Sequence, residues 1–241
     1  MSNTSSPGAF AKALQERRRR QVRRRILALA AAGLVVLLGG LAVYLLFFSP
    51  VFAVSDVRVS GNQLLATDEV LATAQVARDK PVVTTDTDAI GARVAALPPV
   101  EAVTVERAFP NAISISVTER SLVYQRLNGE SYQWLDRHGV AFHSTAAPEP
   151  GVPVAAIASD ETRLLADVAT VVDHLPAELR PRVASLEARA VDQITIKLSD
   201  GDTVVWGSAE QSELKAEVLA VLLEVEAEVY DVSAPGHPTT K

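Results

Sequence analysis

The chain has 241 residues, of which 48% are hydrophobic, and it carries a formal net charge of −6 and no cysteine. This length fits one large domain or two small ones, and the apolar share is enough for packed cores. Without cysteine, a disulfide framework, thiolate catalysis and Cys-based zinc sites are excluded. The charge is unevenly placed, because residues 1–25 hold eight Lys and Arg against the single acid Glu16, a net charge of +7. The N-terminal segment is therefore basic, and the rest of the chain is strongly acidic.

An uncharged apolar run follows this basic start. It has 23 residues, from Ile26 to Phe48, and as a helix it would span about 35 Å, slightly more than the roughly 30 Å hydrocarbon core of a bilayer. The next residues are Ser49 and Pro50, and proline is expected to end the helix. A cleaved signal peptide would have a shorter apolar stretch, and a buried soluble helix is rarely apolar on every face. The run therefore predicts one transmembrane helix over residues 26–48.

The arginines directly before the apolar run predict its orientation. Positive side chains are retained on the cytoplasmic side, so the tail is expected in the cytoplasm and the chain after residue 50 on the other side of the membrane. An arginine run can also bind nucleic acid, but beside a membrane span it is more typical of an orientation signal that contacts lipid headgroups. We therefore expect a bilayer partner and no nucleic acid. The residues assigned to orientation are Arg17, Arg18, Arg19, Arg20, Arg23, Arg24 and Arg25.

The pattern after the span changes to short β runs and amphipathic helices. A strand with a bulge is expected over residues 52–59, and Gly61-Asn62 ends it. Thr67 is a candidate N-cap for one helix, and a second helix is expected after the capping pair Thr85-Asp86. Two strictly alternating strands follow, joined by the turn residues 109–111. The predicted order over residues 51–120 is β-α-α-β-β.

A second module is predicted from residue 121 onward. Asp136 to Gly139 is typical of a turn between two strands, and Thr162 to His174 of a helix. A further hairpin turns at Asp200-Gly201, and Ser208 is expected to cap a helix that ends near Leu223. The apolar positions expected to face inward are Leu164, Leu165, Val168 and Val171 in the first helix, and Leu214, Val218, Val221 and Leu222 in the second.

Several motifs occur in an order that resembles a known family. They are the runs FAVSDVRVSGNQLLATDEVLATA and ALPPVEAVTVERAFPNAISISVTER, and the ending DVSAPGHP. These are similar to the POTRA domain and the final strand of the bacterial cell-division family FtsQ/DivIB. The resemblance implies an α+β protein with a single transmembrane helix, a POTRA domain and a second mixed α/β domain on an antiparallel-rich sheet. The implied division is a basic tail over 1–25, the span over 26–48, the POTRA domain over 51–120 and the FtsQ-type β domain over 121–241.

The same resemblance implies a role in cell division. Members of this family gather the bitopic proteins FtsB and FtsL (DivIC and FtsL in Gram-positive naming) into a complex at the septum that controls peptidoglycan synthesis. The POTRA domain is expected to contact other divisome components. A membrane-anchored POTRA-type envelope assembly factor or chaperone, or a regulatory anchor unrelated to division, is the alternative reading.

The last predicted strand is the candidate site for these partners. Pro235 follows it closely, so the strand can lie at a sheet edge, where an extended partner segment pairs with free N–H and C=O groups. The family's partner-binding edge lies at this position. The candidates are Val229, Tyr230, Asp231, Val232 and Ser233, with Tyr230 as the expected anchor.

No motif in the sequence predicts catalysis, a metal or a cofactor. The histidines at 138, 143, 174 and 237 are too scattered for a zinc site, and the acidic pair in TTDTD is explained by helix capping. Nucleophile elbows, P-loops and dinucleotide fingerprints are not found in the sequence. We therefore expect a non-enzymatic protein that acts through its surfaces.

Overall fold

The computed structural model describes residues 7–241, with the side chains of residues 24–241. Within this range five α-helices and twelve β-strands form. The helices are α1 (Pro7–Phe48), α2 (Thr67–Ala74), α3 (Thr87–Ala95), α4 (Thr162–His174) and α5 (Ser212–Leu222). The strands are β1 (Asp56–Ser60), β2 (Val100–Ala108), β3 (Ala112–Glu119), β4 (Tyr124–Asn128), β5 (Ser131–Leu135), β6 (Ala141–Thr145), β7 (Val154–Ala156), β8 (Val183–Ala188), β9 (Ile194–Leu198), β10 (Thr203–Gly207), β11 (Val229–Asp231) and β12 (Thr239–Thr240).

The chain separates into two compact units. One contains the segment that ends at Arg58, together with Gln75–Ile90 and Val105–Ile115. The other contains Val59–Ala74, Gly91–Thr104 and Ser116–Lys241. The strands form two sheets, a three-stranded one in the order β1-β3-β2 and a nine-stranded one in the order β12-β11-β10-β9-β8-β7-β4-β5-β6.

The first unit contains the apolar helix and the chain that follows it. Ser49 accepts a hydrogen bond from the Val51 amide (3.3 Å) at the start of a short 3₁₀ turn over Pro50–Phe52. The amide of Val54 donates to the Lys80 carbonyl (2.8 Å), and Val54 is fully buried. The strand predicted over residues 52–59 is therefore partly wrong. Phe52 belongs to the turn, and β1 begins only at Asp56.

A half-buried carboxylate anchor lies in the second unit. The side chain of Glu119, at the end of β3, accepts hydrogen bonds from the amides of Leu64 and Leu65, each at 2.8 Å. Burial raises the pKa of the Glu119 carboxyl, but these backbone amides stabilise its charged form and leave the pKa below its usual range. This contact fixes the loop that leads into α2, and it gives a physical reason for the glutamate in the run VTER.

The next residue along the chain forms a second anchor in the same unit. Arg120 makes an ion pair with Asp136 at 2.5 Å and donates to the Pro98 carbonyl at 3.1 Å. The other carboxylate oxygen of Asp136 accepts the amides of His138 and Val140, each at 2.8 Å. The predicted turn at Asp136 to Gly139 is therefore present, and its aspartate is held from two sides.

The core of the second unit lies between the nine-stranded sheet and the helices α4 and α5. The inner face predicted for α4 is correct, because Leu164, Leu165, Val168 and Val171 are all buried. The Tyr124 hydroxyl on β4 donates to the Leu165 carbonyl (3.0 Å), and burial raises the pKa of Tyr124 well above its usual range. Five of the eight strand pairs in this sheet are antiparallel.

Candidate functional site

The candidate partner-binding strand, β11, lies near one end of the nine-stranded sheet. It pairs parallel with β10, with Val204 opposite Tyr230 and Val205 opposite Asp231. A parallel pair needs a crossover connection, and α5 provides it. The amide of Thr203 donates to the Glu228 carbonyl (2.9 Å) and the amide of Val232 to the Val205 carbonyl (3.0 Å). These bonds fix one long side of β11 to the sheet.

The side chains of this segment alternate between the core and the outside. Tyr230 is only 3% exposed and Val232 is fully buried. The Tyr230 hydroxyl donates to the Val225 carbonyl (2.9 Å) and accepts the Ala227 amide (3.2 Å). The expectation that the Tyr230 ring is the anchor for a partner therefore has to be corrected. The ring faces inward and holds β11 onto the chain that precedes it.

The remaining candidates lie on the outer side. Val229 and Asp231 are half-buried and Ser233 is exposed. The Asp231 carboxylate accepts hydrogen bonds from the amide (2.9 Å) and the hydroxyl (2.7 Å) of Ser233. Alternation along a strand puts Val229 and Asp231 on the face opposite Tyr230. A partner beside this strand would contact these two side chains and the backbone.

The outer long side of β11 is paired as well. The two-residue strand β12 lies antiparallel to it, with Thr240 opposite Tyr230 and Thr239 opposite Asp231. The amide of Val229 donates to the Lys241 carbonyl (3.0 Å), and the amide of Lys241 donates to the Val229 carbonyl (2.9 Å). The expected position of Val229–Ser233 at the sheet edge is therefore off by one strand, because β12 is the terminal strand at this end.

A buried lysine supports this end of the sheet. Lys215 on α5 is 1% exposed, and its ammonium group donates to the carbonyls of Trp206 (3.0 Å) and Ser208 (2.8 Å). Burial lowers the pKa of Lys215, although the nearby Glu210 carboxylate acts in the opposite direction. These bonds join the first turns of α5 to the end of β10. The structure also places the start of α5 at Ser212, after Gln211, so the predicted cap at Ser208 is wrong.

The inward face of α5 also differs from the sequence prediction. The buried positions are Ser212, Lys215 and Leu219, whereas Leu214 is exposed and Val221 is 66% exposed. Val218 and Leu222 are half-buried. The apolar stripe read from the sequence therefore lies partly on the outside. Lysine is usually a surface residue, so its burial here has no signal in the sequence.

The apolar helix is the second feature that bears on function. Within α1, residues Arg24–Phe48 are long and apolar enough to cross a membrane, and none of the apolar window is buried in the structure. Arg24 and Arg25 are exposed at the start of this span. The other orientation residues are Arg17, Arg18, Arg19, Arg20 and Arg23, and their side chains lie outside the part of the chain that the structure describes.

Known families match most of the chain in two consecutive parts. The FtsQ-type POTRA domain matches residues 52–120, and the C-terminal domain of the cell-division protein FtsQ/DivIB matches residues 123–233. A cell-division protein FtsQ from Streptomyces venezuelae is 36% identical over 86% of this chain and 80% of its own length. One from Mycobacteroides abscessus is 34% identical over 86% of this chain and 68% of its own length.

This chain belongs to the FtsQ/DivIB family. The predicted fold class is confirmed, namely an apolar N-terminal helix, a POTRA domain and a mixed sheet domain. Membership gives the protein a role in bacterial cell division within a family of non-enzymatic scaffolds, and the apolar helix fits a single-pass membrane protein. A solved extracytoplasmic domain of DivIB from Geobacillus stearothermophilus is also similar, at 17% identity over 45% of this chain and 99% of that chain, with a TM-score of 0.35.

The histidines of this FtsQ/DivIB-family chain do not converge. His138, His174 and His237 are exposed, and the His143 ring packs against the Trp134 ring with the centroids 4.8 Å apart. Among residues with described side chains, no group of three or more His, Asp or Glu is placed to hold a metal ion.

Proposed function

We propose that this FtsQ/DivIB-family chain is a bitopic scaffold that binds FtsB/DivIC-like and FtsL-like membrane proteins outside the membrane. Through these contacts it helps to control septal peptidoglycan synthesis. The observation that carries the proposed site is the position of β11, which is fixed to the sheet on one side and covered on the other by β12 and by Lys241 after it. The proposal also includes the domain limits expected from the sequence, with the POTRA domain over residues 51–120 and the FtsQ-type β domain over residues 121–241.

The arginines before the span support a cytoplasmic N-terminus with the POTRA and β domains on the far side of the membrane. On that side the protein is confined to a thin layer with other membrane-anchored proteins. Confinement raises the effective concentration of each partner, so a small contact is enough for association. This suits a binding site made of one short strand. Localisation at the septum is part of the same proposal.

Strand addition is the proposed binding mode. An extended partner segment would supply a C=O to the Val229 amide and an N–H to the Val229 carbonyl, the two groups that Lys241 pairs with in this structure. Main-chain bonds of this kind give affinity, and side chains at alternate positions give specificity. Tyr230 and Val232 act indirectly, because their burial holds the strand in register. Replacing these two residues would disturb the core and would not isolate binding.

A proline at position 229 tests the proposal more directly. The Val229 amide points away from β10 and donates to Lys241, so Val229→Pro removes an outward donor and leaves the inward bonds of Thr203 and Val232 in place. We expect this variant to lose the FtsB-like partner in a crosslinking pull-down from the organism's own cells. Val229→Thr keeps the amide and should retain the partner. Retention of the partner by the proline variant, with normal circular dichroism, would rule out strand addition at β11.

A fluorescent fusion tests the cellular role independently of the site. The full chain with an N-terminal fluorescent protein should give a band at mid-cell in dividing cells. A uniform signal over the envelope would instead favour an envelope assembly factor or an anchor unrelated to division.

A further inference from the structure

The hairpin between β2 and β3 carries an exposed aromatic side chain at its turn. Phe109 is 58% exposed, and Pro110 beside it is exposed as well. A single exposed apolar residue is common on protein surfaces and by itself needs no explanation. This turn is informative because of its position, since it lies next to the exit segment, the residues 49–55 that connect the apolar helix to β1.

Hydrogen bonds attach two loops to the exit segment. The Asn111 carbonyl, next to the hairpin turn, accepts the Ser55 amide (2.9 Å), and the Asn111 side-chain amide donates to the Ser55 hydroxyl (2.8 Å). The residue before it bonds to a different part of the chain, because the Val54 amide donates to the Lys80 carbonyl (2.8 Å). The hairpin turn and the loop over residues 78–81 therefore both lie beside the chain where it leaves the apolar helix.

The length of the apolar helix places this region at the membrane surface. The helix over Arg24–Phe48 is about 37 Å long, more than the roughly 30 Å hydrocarbon core, so its ends reach the headgroup layers. Leu46, in its last turn, is half-buried, whereas the residues on either side of it are exposed. The 3₁₀ turn Val82–Thr84, directly after the loop over residues 78–81, contacts α1. The folded chain after the span therefore packs against the helix at the level of the headgroups.

The exposed side chains of this region suit a lipid surface. Arg78 and Lys80 are exposed on the loop beside the exit segment, with the single carboxylate of Asp79 between them. This loop is locally cationic, although the chain after the span is strongly acidic. Lys and Arg beside a bilayer bind anionic headgroups and place their aliphatic stems along apolar groups. Phenylalanine is among the side chains that enter the boundary between headgroups and acyl chains.

We infer that Phe109, Arg78 and Lys80 form a second membrane contact, through which the folded chain after the span rests on the headgroup layer beside the helix. The Phe109 ring enters the boundary between headgroups and acyl chains, and the two cations contact lipid phosphates. This inference rests on the proposed membrane topology and not on the partner-binding strand. A domain held at two points cannot turn freely about the exit segment. The contact therefore restricts the orientations in which the domain meets other membrane proteins, which lowers the entropic cost of association.

Tryptophan fluorescence of the full chain in lipid nanodiscs tests this contact. Phe109→Trp keeps an aromatic ring at the hairpin turn, and phosphatidylcholine brominated near the headgroup quenches a tryptophan only at close range. The emission of Trp134 and Trp206 is measured on the natural chain and subtracted. Thr118→Trp is the matched control, because Thr118 is exposed on β3 and lies seven residues after Asn111, about 23 Å further along the strand.

The brominated lipid should lower the emission of the added tryptophan at least about twofold in Phe109→Trp, because burial of a large aromatic ring favours the contacting state by roughly tenfold or more. In Thr118→Trp, brominated and ordinary lipid should give equal emission. Equal emission in the two lipids for Phe109→Trp overturns the inference, and so does quenching of the same size at positions 109 and 118.

The two cations predict a dependence on lipid charge. Each cation beside an anionic surface favours contact by about fivefold, so quenching in Phe109→Trp should be stronger when the nanodiscs contain phosphatidylglycerol. Arg78→Gln with Lys80→Gln should remove this excess. Arg163→Gln with Arg189→Gln removes two other exposed cations and is the control, which should keep the excess. An equal loss in both double variants overturns the role of the two cations.

A photoreactive phospholipid repeats the test on the natural chain, so a misfolded variant does not leave the question open. After illumination in nanodiscs, lipid should be attached within residues 107–110, and its absence there overturns the inference. The nanodiscs contain only this chain and lipid, so these negative results leave the partner-binding role as it stands. If the full chain does not enter nanodiscs at all, the membrane span is wrong, and the proposed function fails with it.

Discussion

Replacing Glu119 with glutamine should loosen the loop before α2. Each carboxylate oxygen of Glu119 accepts one amide, from Leu64 and from Leu65, at 2.8 Å. Glutamine has the same shape but keeps only one acceptor and sets an NH₂ group against the other amide. A buried donor without a partner costs about 1–3 kcal/mol, and water can reach the more exposed Leu64 amide. We therefore expect a loss of about 1–2 kcal/mol in the free energy of unfolding of this region.

The pH dependence of the same variant gives a second test. The pKa of Glu119 is lowered on folding, so its contribution to stability is complete above its unfolded-state pKa, near 4.5, and is lost as the pH falls through the lower folded-state pKa. The stability difference between the natural chain and Glu119→Gln should thus be constant at neutral pH and shrink in acid. At low pH the protonated glutamate resembles glutamine.

Hydrogen exchange is the most direct assay for this change. In Glu119→Gln, the amides of residues 64 and 65 should exchange about 5- to 30-fold faster, the factor that corresponds to 1–2 kcal/mol. Glu106→Gln, which changes an exposed carboxylate on β2, serves as the control and should shift stability by less than about 0.5 kcal/mol. Equal protection of the two amides in the natural chain and in Glu119→Gln would refute the reasoning.

Three further predictions concern the second unit. Gly139→Ala should destabilise the protein by several kcal/mol in a thermal melt, because a Cβ there would lie 2.4 Å from the Ala166 amide nitrogen. The control Gly129→Ala is also at positive φ but in open space, and it should lose only about 1 kcal/mol of stability. Similar losses in the two variants would contradict this prediction. The pKa of Lys215 is lowered on folding, so as the pH approaches 10.5 from below the unfolded chain binds more protons than the folded chain and the stability of the natural chain should rise. Lys215→Met should remove this rise, measured by urea unfolding at several pH values. An unchanged pH profile would contradict the prediction. Arg120→Met should cost about 2–4 kcal/mol in urea unfolding because it leaves the buried carboxylate of Asp136 without its counter-ion, and a loss below 0.5 kcal/mol would show that water replaces the arginine.

The sequence predicts those elements whose structure depends on local patterns. The helix α4 and its inward residues follow from apolar spacing, and the pair β2 and β3 follows from strict alternation around a proline turn. The apolar span is equally clear, because 23 uncharged residues leave few alternatives. In each of these cases neighbours along the chain decide the outcome.

The features that the sequence did not predict depend on contacts between residues far apart in the chain. Lys215 is buried because the end of β10 presents two carbonyls to it, and nothing near position 215 in the sequence indicates them. The strand β12 is too short to show a pattern, so the apparent edge at Val229–Ser233 turned out to be covered. Tyr230 suits an interface by residue type, but its hydroxyl is occupied by Val225 and Ala227. The resemblance of the final motif located this end of the sheet, and only the structure gives its arrangement.

Site-specific photocrosslinking in living cells tests most directly the central claim, that partners bind at the β11 end of the sheet. Ser233, two residues after β11, and Ser144, on the terminal strand β6 at the opposite end, are both exposed serines and form a matched pair for a photoreactive amino acid. The account predicts a crosslink to an FtsB- or DivIC-like protein from position 233 and none from position 144. A crosslink from position 144 alone, or from neither position in dividing cells, would contradict it.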